Sequence, residues 1–147
     1  MGSTFLSLHY HIVFSTKERR PLIGVDWRPR VHEYLGGTVR GLDGIPEVIG
    51  GVEDHVHLLV GLRATHCLAE FIRELKKASS VWAAENFEPM FAWQEGYSAF
   101  TLSWTHIEPV RKYIGGQEEH HRKLPFLKEL RQLLNKNGVK YEPKYLL

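Results

Sequence analysis

The chain has 147 residues, 43% hydrophobic and 24% charged, an ordinary composition for a domain with a real core. Its formal net charge of +2 is too small to argue for nucleic acid by itself, and the single cysteine, Cys67, excludes an internal disulfide and a thiolate metal cluster. No apolar run approaches the roughly 20 residues of a membrane span, and the first residues lack a basic-then-apolar leader, so one cytoplasmic domain, 1–147, is expected.

Leu6 to Ser15 reads as a strand rich in β-branched and aromatic residues, ended by the basic loop Lys17-Glu18-Arg19-Arg20. Trp27, Val31, Leu35, Thr38 and Leu42 recur at helical spacing, with Gly44 as a stop. Ile45 to Val52 and His55 to Leu62 predict a hairpin turned at Glu53-Asp54, with Gly50 and Gly51 permitting a bulge. Thr65 is the expected cap of a helix whose inward stripe is Leu68, Phe71, Ile72, Leu75, Ser79 and Trp82. Tyr97 to Trp104 alternates as a strand. Thr105-His106-Ile107-Glu108 reads as a capping box ahead of a helix carrying Val110, Tyr113, Ile114 and Gln117. Pro125 to Asn137 is a last helix closed by Gly138. The order β-α-β-β-α-β, then helices, is the ferredoxin-like arrangement: an α+β fold with an antiparallel sheet, helices packed on one face, and C-terminal helices carrying Tyr113.

The chemistry concentrates in Glu53-Asp54-His55-Val56-His57-Leu58. Side chains alternate along a strand, so His55 and His57 share a face while Val56 turns into the core. Two imidazoles so placed can share one metal ion. His9 and His11 have the same spacing; they lie near the same site or are satisfied polar groups. Tyr113 and Gln117, four apart, share a helical face. A metal held by His55, His57 and the Gln117 carbonyl oxygen would polarise a scissile phosphate, and Tyr113, with a reference pKa of about 10, would attack phosphorus once ionised. The phosphotyrosine ester keeps the bond energy, so a second DNA end can be joined without ATP. Two nitrogens and one oxygen suit manganese or zinc on softness; magnesium is compatible because phosphate and water oxygens would complete its shell.

Three basic clusters are candidates for phosphate contact: Lys17, Arg19 and Arg20; Arg73, Lys76 and Lys77; and Arg122 with Lys123. Taken singly, each reads as a solvated charged face. Trp93 and Tyr97 either stack on bases or fill the core. His120 and His121 contact DNA, support the metal, or are surface histidines.

In order along the chain, Tyr10 to Lys17, Glu53 to Leu58, Phe91 to Tyr97 and Tyr113 to Arg122 resemble the single-tyrosine transposases of small insertion sequences, the IS200-like family of HUH endonucleases, with His55-Val56-His57 as the histidine–hydrophobic–histidine motif. The resemblance covers nearly the whole chain. It implies Tyr113 as nucleophile, His55, His57 and Gln117 as ligands of a divalent ion, Mg2+ or Mn2+, and single-stranded DNA hairpins as substrate. It also implies a homodimer, or a monomer if the chain falls with the similar single-tyrosine relatives that process repetitive extragenic palindromes. Gly115-Gly116 departs from a continuous helix, since each glycine costs about 1 kcal/mol relative to alanine; a break there bears first on Gln117. The alternative on the same scaffold is a domesticated, non-catalytic hairpin-binding protein.

Overall fold

The computed structural model describes residues 2–121 and 123–146. Four strands, β1 (His9–Ser15), β2 (Ile45–Gly51), β3 (His55–Gly61) and β4 (Ser98–Leu102), form one sheet in the order β2-β3-β1-β4. Every pairing is antiparallel. With α1 (Arg28–Gly41) after β1 and α2 (Leu68–Asn86) after β3, this is the ferredoxin-like topology.

Strand alternation decides what each face carries. Ile12, Phe14, Val56, Leu58 and Val60 point to one side and pack against Val31, Leu35 and Val39 of α1 and Phe71, Ile72 and Leu75 of α2. Burying each such side chain contributes roughly 1.5–3 kcal/mol, so this layer is the main core. Trp93 belongs to it and donates its indole N–H to Ser79 Oγ, while Tyr97 is partly exposed.

The opposite face carries His11, Val13, His55, His57 and Leu59. It is covered by α3 (Ile107–Gly115), α4 (Gln117–His121) and α5 (Phe126–Lys136). Ile107 and Ile114 of α3 pack on Leu59, and Phe126, Leu130 and Leu134 of α5 pack on Val13 and Phe100.

Local signals were displaced in several places. The hairpin irregularity falls between Pro46 and Val48 rather than at the glycines. Gly50 instead permits a close approach. A Cβ there would run into the Ile114 carbonyl oxygen, so its bare backbone lets α3 lie against β2. Thr65 does not cap α2, which starts at Leu68 with Cys67 in the cap position. No capping box forms before α3; Thr105 Oγ1 instead bonds Ser103 and His106 within a 3-10 turn, Trp104–His106. The helix does break at the glycine pair: α3 ends at Gly115, Gly116 caps it, and Gln117 opens α4. Among the described residues, no helix is long and apolar enough to cross a membrane.

Candidate active site

His55 and His57 project from β3 onto the face under α3–α5, and both are fully buried. The face that alternation gives the pair is thus covered by helices from the end of the chain. A buried imidazole must be hydrogen-bonded, and each has two partners. His55 Nδ1 lies 2.7 Å from Asp54 Oδ1, and His57 Nδ1 lies 2.8 Å from His11 Nε2. His11 is therefore part of this site. His9 is not joined to it; its ring lies beside Trp104.

The Nε2 atoms of both histidines face Glu129, a residue of α5 with no solvent exposure. Phe126, Leu130 and Leu134 anchor α5 on the sheet and carry Glu129 inward with them. Its Oε1 accepts from His57 Nε2 at 3.0 Å and from His121 Nε2 at 3.0 Å, with His55 Nε2 at 3.3 Å. Its Oε2 accepts from Gln117 Nε2 at 3.1 Å and from the Tyr113 hydroxyl. Gln117 Oε1 is 3.2 Å from His55 Nε2, so the break after α3 still delivers Gln117 to the site. His121 Nδ1 donates to the Leu124 carbonyl at 2.6 Å. His120 Nε2 is 3.3 Å from Glu129 Oε2, an ion-pair distance without hydrogen-bond geometry.

The charges follow from these contacts. Burial works against a charged His55, but hydrogen bonds to Asp54 and Glu129 outweigh it and raise its pKa to about 8. His57 goes the other way: burial lowers it to about 4, despite its bond to Glu129. His11 is lowered by burial and by His57 to about 3. Burial alone would raise the Glu129 carboxyl; hydrogen bonds from His121, His55 and His57 reverse that and keep it ionised. Burial and the bond to Glu129 hold the Tyr113 hydroxyl above its ordinary pKa, so the phenol keeps its proton. Two carboxylates, Asp54 and Glu129, face this pocket, which favours a cation there. His55, His57, His121 and Glu129 place ligand atoms within 4.8 Å of one another, and this group could hold a metal ion.

Sequence reasoning missed Glu129. Its signal was present: a charged residue on the stripe Phe126, Glu129, Leu130, Leu133, Leu134, which is otherwise apolar at helical spacing. The basic candidates are not gathered in one place. Lys17, Arg19 and Arg20 follow β1 at the His55 end of the sheet, where Thr16 N–H donates to the Asp54 carbonyl. Lys17 and Arg20 are exposed, and Arg20 pairs with Glu18. Arg73, Lys76 and Lys77 sit on α2, across the sheet from the histidines. Lys76 is committed there, donating to the carbonyls of Gln94 and Gly96 at 2.6 and 2.8 Å. Lys123 is exposed beyond α4, and Arg122 lies outside the described residues.

A ferredoxin-like sheet presenting paired histidines, with a tyrosine on a following helix closing over them, defines a tyrosine transposase scaffold. The chain belongs to the IS200-like transposases: that family model, "Transposase IS200 like", matches residues 4–117. Solved structures share the fold, two of them as follows. One, from Deinococcus radiodurans R1 and described as a transposase, is 22% identical with a TM-score of 0.65, covering 80% of this chain and 96% of that one. The other is a REP-associated tyrosine transposase bound to a REP hairpin, 12% identical with a TM-score of 0.61, covering 82% of this chain and 73% of that one. No curated protein matches the chain.

Proposed function

We propose that the whole chain, 1–147, is a single metal-dependent transposase domain that cuts and rejoins single-stranded DNA at hairpin-marked ends through Tyr113. One observation carries this reading: Tyr113 and the His55–His57 pair meet on the two oxygens of one buried carboxylate, Glu129. A storage or structural metal site has no use for a phenol there, and a simple binding module needs neither group.

His55 and His57 would hold a divalent ion, with Gln117 Oε1 in reach to join them. Such an ion supplies Lewis-acid polarisation of the scissile phosphate. The protein does the rest. Tyr113 gives its proton to Glu129 Oε2, where the hydrogen bond already points, and its oxygen attacks phosphorus. The new O–P bond leaves a 5′-phosphotyrosine, the bond to the 3′ oxygen breaks, and that oxygen leaves as a hydroxyl with a proton from solvent. Joining reverses the steps, with the 3′-hydroxyl of another end as nucleophile. One tyrosine holds one strand, so exchange of two ends calls for two copies of the chain, a homodimer. Hairpin DNA as the ligand is supported by the REP-hairpin-bound relative of the same fold. The exposed Lys17 and Arg20, at the His55 end, are suited to its phosphates.

The test is incubation of the purified chain with labelled single-stranded hairpins from its own genomic flanks, with Mn2+ or Mg2+, followed by denaturing electrophoresis. A metal-dependent protein–DNA adduct absent from Tyr113→Phe is the expected result. Binding without adduct, with either ion and several flanks, would point to a domesticated binding protein.

A further inference from the structure

We propose that the ion is held by four protein donors, the Nε2 atoms of His55, His57 and His121 and one oxygen of Glu129, and that this set selects a transition ion over magnesium. The inference rests on the metal-dependent reading above and deepens it by setting His121 and Glu129 in the place given there to Gln117 and by naming the class of ion.

His121 and Glu129 both lie beyond residues 4–117, the segment shared with the family model, so this part of the centre is contributed by the chain's own C-terminal helices. The first argument is orientation. A ligating histidine is held by an acceptor on its other ring nitrogen, which fixes both tautomer and direction. His55 and His121 are held in this way, by Asp54 Oδ1 at 2.7 Å and the Leu124 carbonyl at 2.6 Å, and His57 Nδ1 has His11 Nε2 at 2.8 Å, which would accept from it once His57 Nε2 is given to the ion. In consequence three Nε2 atoms converge on one carboxylate oxygen at 3.3, 3.0 and 3.0 Å.

The second argument is size. An ion bound about 2.1 Å from each donor tolerates donors up to about 4.2 Å apart. Each contact between an Nε2 and Glu129 Oε1 falls inside that limit, and the widest separation in the group, within 4.8 Å, requires only a small closure. Charge is the third: two carboxylates, Asp54 and Glu129, face this pocket. The fourth is ligand type. Magnesium favours oxygen and retained water, whereas imidazole suits zinc, iron, nickel and copper. Glu129 Oε2 remains on the Tyr113 hydroxyl, so the carboxylate ties the ion's position to the nucleophile.

The test uses the full chain after chelator treatment. Co2+ is titrated in while visible absorption and heat are followed, with Mn2+, Zn2+ and Mg2+ in parallel. His121→Ala and Glu129→Gln are compared, their folding checked by circular dichroism. The expected result is one Co2+ per chain with visible ligand-field bands, undisplaced by excess Mg2+. Each substitution should weaken Co2+ binding by at least the roughly 10–100-fold that losing an outer-sphere partner costs, and should shift the bands. Wild-type affinity and spectrum in both variants, or displacement of Co2+ by equimolar Mg2+, would overturn the donor set. Should His121→Ala lose its fold, Glu129→Gln, nearly isosteric, decides alone. Adduct formation at Tyr113 is scored separately: an adduct together with unchanged Co2+ binding in the variants sinks this inference and leaves the transposase reading intact. The expected Co2+ behaviour with no adduct supports the centre and removes the catalytic reading.

Discussion

The hydroxyl of Tyr113 donates a hydrogen bond to Oε2 of Glu129, a carboxylate on the next long helix. Because Oε1 of the same group faces His55, His57 and His121, the tyrosine and the imidazoles are held by one side chain. The contact is made within a single chain. It ties α3 to α5 over the sheet and keeps the phenol protonated in the metal-free protein.

Metal-free stability should peak near neutral pH. His55 is raised to about 8 by Asp54 and Glu129 against its burial, so its contribution is complete below the unfolded value of 6.5 and is lost as pH rises through 8. At about 1.4 kcal/mol per pKa unit, that loss is about 2 kcal/mol. His57 and His11 are lowered to about 4 and about 3, chiefly by burial. Below 6.5 the unfolded chain takes up protons at these positions that the fold refuses, so stability falls with pH there. Calorimetric Tm in chelator across this range checks the peak; a steady climb into alkali would contradict the assignment of His55.

Gly50→Ala should loosen the site from the back. Its Cβ would meet the Ile114 carbonyl oxygen, a backbone atom that cannot swing aside. Overpacking of this kind costs about 1–3 kcal/mol. Since Ile114 adjoins Tyr113, adduct formation should fall more than hairpin binding. Denaturant unfolding and the adduct assay measure the two effects, and an unchanged Cm would show that α3 does not need this close approach.

His11→Leu should weaken the ion without touching it. The substitution removes the partner of His57 Nδ1 and leaves that nitrogen buried and unpaired. Loss of such an orienting group lowers metal affinity roughly 10–100-fold. Calorimetric Mn2+ titration of the folded variant is the measurement, and wild-type affinity would assign His11 to packing alone.

The basic clusters should separate. Lys17→Ala with Arg20→Ala should weaken hairpin binding and lower the salt slope by about 0.7 for each single-strand phosphate no longer neutralised. Arg73→Ala with Lys77→Ala, across the sheet from the histidines, should change little. Fluorescence anisotropy over a salt series distinguishes them; equal losses would extend the DNA track onto α2.

What the sequence determined is local. Period-two alternation put His55 and His57 on one face of β3, and helical spacing placed α1, α2 and α5 within a few residues of their observed ends. The spacing of Tyr113 and Gln117 and the motif order were sufficient to show the family resemblance. The tertiary structure decided what lies over that face. Glu129 is 72 residues from His57, and their contact depends on the angle at which α5 crosses the sheet, set by Phe126, Leu130 and Leu134 against Val13 and Phe100. Neither alternation nor helical periodicity encodes a crossing angle. Hence a glutamate within an apolar stripe went unread in sequence and became the centre of the site only after the helix had packed.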